Sequence, residues 1–300
     1  MYQQVNHGKL GMLYRQHRQL VRIGCELSRT TLAMWMIRAG QPLINLLRET
    51  MLAERYVLMD ETTMQVIKEP GKAPECKSCL WAQMNLGAST PIILFDYDAR
   101  RSAAIPTRLL EGFEGALHTD GYRGYDRASN GLNLIRLYCF APARRKFVDV
   151  LKSLGLNPKK PPAAARQAMK ALSLIKSLYA IERRIKDKPP DERSFIRQRD
   201  SVRVLDKLHT WMKATLPKVL PGGAMGGALR YLDNHCDGLV RYCDDGRYRI
   251  DTNPIENAFR PFCVGRRNWL FSDTVAGAKS SANLYSSIET ARANGLDPYG

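Results

Sequence analysis

At residue 56 the chain changes texture. YVLMDETTMQVI, SCLWAQMNL and PIILFDYD are short apolar runs rich in Val, Ile, Leu and aromatic residues, parted by turn formers such as Glu69-Pro70-Gly71-Lys72. Three strands in succession with hairpin-length links predict an antiparallel meander. ARRSAAIPTRLLEGF then reads as a helix closed by Gly112 or Gly115. GALHTDGYRGY follows as a strand running into a glycine-rich loop, and LNLIRLYCFAPARRKFVDVLKSL as a strand followed by a helix. The order βββαβαβα predicts an α/β fold, a mixed sheet with helices on its faces.

The flanking segments read as helical. In RQHRQLVRIGCELSRTTLAMWMIRAG, Ser28 stands as an N-cap before Leu32, Trp35 and Met36 at helical spacing. A short helix, a turn near Gly24 and a second helix opening on Arg29 and Thr30 suggest a helix-turn-helix, although any two packed helices share this pattern. After the breaker NPKKPP, one helix is predicted with Ala168, Leu172, Ile175 and Tyr179 on one face. Beyond KDKPPD a second carries Ile196, Val202, Leu205, Leu208 and Met212 at three- and four-residue steps. PGGAMGG reads as a flexible joint, and ALRYLDNHCDGLVRYC as one more helix. The expected organisation is a helical segment over 1–50, a sheet-bearing core over 51–155, helices over 156–245, and a return to the core over 246–300.

Charge separates these parts. Net charge is +17 over 300 residues, distributed as +5 over 1–50, +1 over 51–150, +11 over 151–250 and 0 over 251–300. Two basic blocks therefore flank a nearly neutral segment rich in carboxylates. A basic field attracts a polyanion, although a solvated surface carries the same signature. No apolar run reaches the ~18 residues a membrane span needs, and the N-terminus lacks the apolar stretch of a secretory signal. Seven cysteines spread along the length do not form a disulfide framework, so the expected compartment is the reducing cytosol.

Three acids stand where strands end or helices begin. Asp60 closes the apolar run of LMDET, Asp120 precedes a glycine in HTDGYRGY, and Glu256 lies in DTNPIENAFRP. Carboxylate oxygens suit Mg²⁺ or Mn²⁺, and two such ions ~4 Å apart activate a water or hydroxyl in phosphodiester chemistry. Each acid has a plainer reading. Asp60 and Glu61 serve equally as turn acids, Asp120 as an Asx-turn residue, and Asn253-Pro254-Ile255-Glu256 as a capping box. Further on, GRRNWLFS sets Arg266 and Arg267 beside Trp269, a pairing suited to phosphate contact and base stacking, or to a buried tryptophan flanked by solvated arginines.

MDET, HTDGYRGY, ARRKF, IDTNPIENAFRP, GRRNWLF and the closing SSIETARANGLDPYG, in that order, resemble the transposases of the insertion sequence 66 family, from LSRTTLAMW to the end of the chain. The NPIEN and GRRNWLF pair is the specific part. The resemblance implies a DDE transposase whose ribonuclease H-like core, already suggested by the element order, is interrupted by a helical insertion. It carries over Asp60, Asp120 and Glu256 as catalytic acids holding two Mg²⁺ or Mn²⁺ ions. Arg266, Arg267 and Trp269 would contact DNA beside the site, Arg144, Arg145 and Lys146 would be outer phosphate contacts, and Arg29 would act from the helix-turn-helix. The partners implied are element-end and target DNA and further copies of the chain, in the cytoplasm at the nucleoid. Relatives usually carry a cysteine-rich segment ahead of this region and a last helix beyond it, so a copy truncated at both ends is expected. Pro142 stands where they usually have histidine. A non-catalytic DNA-binding protein and a nuclease that joins no strands are the alternatives.

Lesser candidates remain. Cys76-Lys77-Ser78-Cys79 has metal-ligand spacing but no second pair near it, and a hairpin turn accounts for it equally. His118 lies on the strand before Asp120. No phosphate-binding GxxxxGK[ST] motif occurs, so ATP use is not indicated.

Overall fold

The computed structural model describes residues 17–86, 90–154 and 163–298. The first sixteen residues of the helical segment, the breaker NPKKPP and the Met36 side chain lie outside the described residues. The chain divides into two compact units. One is drawn from Met1–Gly115, Asn130–Asn133 and Pro254–Gly300, the other from Ala116–Ser129 and Leu134–Asn253.

The first unit begins as a helical stretch at residues 17–22, a turn at Gly24 (φ 82°) and helix α1 (Arg29–Leu52). Ser28 caps α1 as expected, its hydroxyl accepting the Thr31 N–H at 3.0 Å. The expected apolar face does not close at the start of α1, where Trp35 is 54% exposed. Among the described side chains of α1, Ile44 and Met51 are the buried ones. Arg48 ties α1 to the sheet, donating to Asp96 at 2.6 Å and to Gln83 at 3.2 Å.

The predicted meander is present. Strands β1 (Tyr56–Lys68), β2 (Lys77–Asn85) and β3 (Ile93–Asp98) pair antiparallel in order, with Asp60 opposite Ala82 and Ala82 opposite Phe95. Glu69-Pro70-Gly71-Lys72 turns with Gly71 at φ 74° and a Lys72 N–H to Glu69 C=O bond of 3.2 Å, the type II geometry that needs glycine at its third position. Helix α2 (Ala104–Leu109) follows. Far along the chain, a short strand β6 (Ser272–Thr274) pairs parallel with β1, making this a mixed sheet. The last helix, α12 (Val275–Ala293), lies on β3. There Ser286 Oγ accepts the Phe95 N–H at 2.7 Å, and Thr290 Oγ1 accepts from Ile93 N and donates to Ile93 O, both at 3.0 Å. Side chains of α12 thus occupy the backbone groups that an edge strand leaves open.

One buried acid anchors this sheet. The Glu69 carboxylate, 6% exposed, accepts hydrogen bonds from the Ser78 and Tyr97 hydroxyls, with Lys72 Nζ at 3.4 Å. Burial alone would raise its pKa. The two hydroxyls and the Lys72 charge outweigh it, holding the carboxyl below its ordinary 4.5. A depressed acid contributes stability that is present above the unfolded-state value and is lost as pH falls through the folded one. The melting midpoint should therefore hold from neutrality to about pH 5 and fall below it. Glu69→Gln should flatten that acid limb and lower stability at pH 7 by about 1–3 kcal/mol, read from melting curves across pH 3–7.

The second unit holds strand β4 (Ala116–Thr119), helix α3 (Arg123–Gly131) and strand β5 (Ile135–Tyr138), with β4 and β5 parallel. The expected glycine-rich loop is only a tight turn, because α3 starts at Arg123. Helix α4 (Phe140–Ser153) follows, completing the order βββαβαβα. Next come α5 (Ala163–Arg184), α6 (Pro190–Ile196) running through a π-helical stretch (Arg197–Ser201) into α7 (Val202–Thr215), α8 (Ala224–Asn234) and α9 (Cys236–Val240). Ala168, Ile175, Ile196, Leu205, Leu208 and Met212 are buried on the predicted faces.

Two features depart from expectation. Only the first half of PGGAMGG is a turn: α8 begins at Ala224 and passes through both later glycines. A Cβ on Gly226 would stand 2.3 Å from the Leu220 carbonyl oxygen, so glycine permits a close approach there. Arg197, in what reads as a solvated charge run, is completely buried. It donates to both Glu182 oxygens (2.8 and 2.6 Å) and to the Tyr242 and Asp245 carbonyls (2.9 Å each). The π-helical stretch starts at Arg197, the kind of single widened turn that re-aims one side chain.

Candidate active site

Asp60 does not end its strand as expected: β1 runs on to Lys68, so Asp60 and Glu61 lie within it, paired opposite Ala82 and Trp81. Asp60 is half-buried, and its Oδ1 accepts the Glu61 N–H at 2.9 Å. Glu61 is engaged by Arg101, whose Nε donates at 2.7 Å. The pairing of Glu61 with Arg101 is something that MDET alone does not reveal.

Glu256 lies in helix α10 (Asn253–Ala258), which continues through Phe259 into α11 (Arg260–Trp269). The buried side is apolar. Ile255, Phe259 and Phe262 are within 4% of fully buried, Phe259 lies edge-on to Phe95 at 5.5 Å, and Phe262 lies edge-on to Tyr285 at 5.5 Å. Glu256 is on the exposed side and has no hydrogen-bond or ion-pair partner among the described residues. The capping-box reading fails here. The Asn253 N–H goes to Asp251 Oδ1 at 3.3 Å, and Asn253 Nδ2 donates to Asp251 Oδ2 at 2.9 Å. Asp251 has taken the role that spacing offered Glu256, and only its position two residues before Asn253 hinted at this.

The GRRNWLF residues take separate roles. Arg266 turns back onto β1, donating to Thr62 Oγ1 at 3.2 Å and to the Thr63 carbonyl. Trp269 is half-buried, 5.3 Å from Phe262, and hydrogen-bonded to Tyr285. Arg267 is exposed.

In the second unit, Asp120 follows β4 directly. Its Oδ1 accepts the Tyr122 N–H at 2.9 Å, the Asx-turn geometry. The carbonyl of Asp120 accepts from the buried Arg136 at 2.7 Å, and Arg136 also bonds the Leu137 carbonyl and the Asp126 carboxylate. Gly121 is pinned against α8 and the residue after it, since a Cβ there would meet Tyr231 Oη and His235 Nε2 at 2.9 Å. Arg136, Tyr231 and His235 lay unrecognised in the sequence, because nothing local marks a residue that buttresses a loop from another element. His118 is fully buried on β4. Burial, then the Arg136 charge, push its pKa down to about 3, so it is a neutral core histidine. Arg144, Arg145 and Lys146 are exposed on α4, with Lys146 Nζ 5.0 Å from the Tyr231 ring centre. Arg29 is exposed at the start of α1.

All three acids are hard oxygen donors. Asp120 has one oxygen engaged by a backbone N–H, and Glu256 has none engaged, so the donor chemistry suits a divalent cation. Among the described residues no three His, Cys, Asp or Glu side chains are gathered as a metal-holding group. Cys79 is buried on β2 with its thiol pushed up by that burial, while Cys76 is exposed, in keeping with a hairpin turn.

Residues 5–280 match the model of the IS66 transposase family. The chain belongs to the IS66 transposase family. Among its relatives, y4jD of Sinorhizobium fredii (strain NBRC 101917 / NGR234) is 31% identical over 96% of this chain and 57% of its own length. A second protein of that strain, y4qI, is 31% identical over 95% of this chain and 54% of its own. A third, y4hP, is 27% identical over 97% and 55%. All three are uncharacterised. This IS66-family chain spans about half the length of the curated relatives it matches. None of its described helices is long and apolar enough to cross a membrane.

Proposed function

We propose that this IS66-family chain carries the catalytic machinery of a DDE transposase, which cuts the ends of its element and joins them to target DNA. The observation that carries this reading is Glu256, an exposed carboxylate on a helix whose first turn is capped by Asp251 instead, within a chain of transposase family. On this reading Asp60, Asp120 and Glu256 are the three catalytic acids, on a ribonuclease H-like core split by the helical insertion over 156–245. The acids would hold two Mg²⁺ or Mn²⁺ ions, which supply Lewis acidity at the scissile phosphate.

The chain's own residues orient that chemistry. The Glu61 N–H fixes one oxygen of Asp60, and the Tyr122 N–H and Arg136 fix the Asp120 loop. In the first step a water oxygen bonds to phosphorus and the 3′-oxygen leaves, taking up a proton. In the second, that 3′-hydroxyl bonds to a target phosphorus and a second 3′-oxygen leaves. Arg267, Arg144, Arg145 and Lys146 meet phosphates, Arg29 acts from the helix-turn-helix, and Arg266 and Trp269 brace the Glu256 segment on β1. Two element ends call for a multimer, assembled on DNA at the nucleoid.

The test is a strand-transfer assay with the full-length protein, Mg²⁺, a duplex bearing the terminal repeats that flank its coding sequence, and plasmid target. Joined product is the expected result. Cleavage without joining would instead identify a nuclease, and DNA binding without cleavage a binding remnant.

A further inference from the structure

The exposed side of the segment from α10 to β6 carries a pattern that the three acids do not explain. Glu256, Arg260, Val264 and Arg267 follow one another at steps of four, four and three, and all are exposed. The joint at Phe259 keeps helical angles (φ −72°, ψ −17°), so the row continues across it. Neither Arg260 nor Arg267 has a carboxylate partner among the described residues, in contrast to Arg266, which is spent on β1. The row ends in a distorted turn. Leu270 has φ 61° and ψ −49°, and the Phe271 N–H bonds the Trp269 carbonyl at 2.7 Å. That is the γ-turn of positive φ, rare and strained for any residue with a Cβ. It leaves two large apolar side chains in solvent, Leu270 at 51% and Phe271 at 39% exposed.

Two unpaired guanidinium groups, an apolar step between them and an apolar tip match one partner: a nucleic-acid strand, with phosphates for the arginines and base faces for the tip. We infer that this row is the track of the DNA strand being cut, and that Leu270 and Phe271 insert against its bases as a wedge. The inference rests on the DNA reading above and gives it a direction. Leu270 stands fourteen positions beyond Glu256, about 20 Å along the helical axis, or about six stacked base steps. The wedge thus acts about six bases from the phosphate that Glu256 serves. Apolar wedges of this kind part neighbouring bases, and the arginines hold the backbone while they do so.

The experiment needs no cleavage. The full-length protein in EDTA is titrated into a 30-base-pair duplex, and into its single strand, each carrying one 2-aminopurine. Binding by the unsubstituted protein should raise 2-aminopurine fluorescence, the sign of unstacking. Leu270→Gly with Phe271→Ala should abolish most of that rise and weaken single-strand binding roughly 5- to 100-fold, while leaving the salt dependence alone. Arg260→Gln and Arg267→Gln should each lower the slope of log Kd against log salt by about 1. Glycine adopts positive φ freely, so Leu270→Gly should not lower the melting midpoint. Leu220→Ser, at an exposed leucine of the second unit, should leave the fluorescence signal intact. Wild-type fluorescence in the Leu270/Phe271 variant, unchanged salt slopes in the arginine variants, or a lowered midpoint in Leu270→Gly would each overturn the wedge. Such results with DNA affinity intact sink the track alone, whereas no DNA affinity in the unsubstituted protein sinks the transposase reading with it.

Discussion

Asp60→Asn, Asp120→Asn and Glu256→Gln should each lower Mg²⁺-dependent DNA cleavage by about a hundred- to a thousandfold, the scale of losing one electrostatic element at a reaction centre. The amide substitutions are chosen for what they retain. An Asn at 60 or 120 keeps the oxygen that accepts the Glu61 or Tyr122 N–H, so the local backbone of β1 and the Asx turn survive while the charge goes. Glu256 has no partner to lose among the described residues. Binding to DNA in EDTA should therefore stay at the unsubstituted level, and melting midpoints should move little. Glu61→Gln is the internal control, since its carboxylate is engaged by Arg101, and cleavage should stay close to normal. Gel assays of end cleavage decide the matter. A full rate in Asp60→Asn, or a collapse in Glu61→Gln with Asp60→Asn active, would remove Asp60 from the chemistry.

Arg197→Met should be the most destabilising single change in the helical part of the chain, costing about 3–5 kcal/mol. The native guanidinium is fully buried and makes four hydrogen bonds, two to Glu182 and two to backbone carbonyls. Removing it strands the Glu182 carboxylate, whose other cation, Arg193, lies 3.9 Å away, and leaves the Tyr242 and Asp245 carbonyls without this donor. A carboxylate buried without adequate compensation costs more than the arginine contributed. Arg197→Met combined with Glu182→Leu should accordingly recover most of the loss. Urea unfolding followed by circular dichroism gives both values. A single variant within about 1 kcal/mol of the unsubstituted protein would show that the pair is solvated in solution.

The first unit was the more legible of the two in sequence. Short apolar runs rich in Val, Ile, Leu and aromatic residues announce β1 to β3 because strand burial writes itself into local composition, and Pro70-Gly71 and Ser28 announce backbone geometries that few other residues serve. What escaped were residues whose role is set by a distant partner. Arg197 looks like part of a solvated run until Glu182 and the carbonyls around Tyr242 close on it. Gly226 looks like a joint until the Leu220 carbonyl approaches it. The same limit applies at the candidate site. Spacing offered Glu256 two roles, as cap or as free acid, and only the bonds from Asn253 to Asp251 separate them. Arg266, Arg267 and Trp269 read as one motif, yet one reaches β1, one faces solvent and one packs on Phe262.

The hydrogen bonds from Ser286 and Thr290 to β3 join positions 191 and 197 residues apart in the chain. On the ribosome, at about 5–20 residues per second, β3 emerges roughly 10–40 s before the helix that covers it. Throughout that interval the nascent sheet presents Ile93 and Phe95 with open N–H groups to anything that pairs with strands, neighbouring nascent chains included. The stretch Val275–Ala293, some 190 residues downstream, is therefore the one that ends this exposure. Slow or stalled translation downstream of β3 would act on yield through aggregation, leaving each completed molecule unaltered.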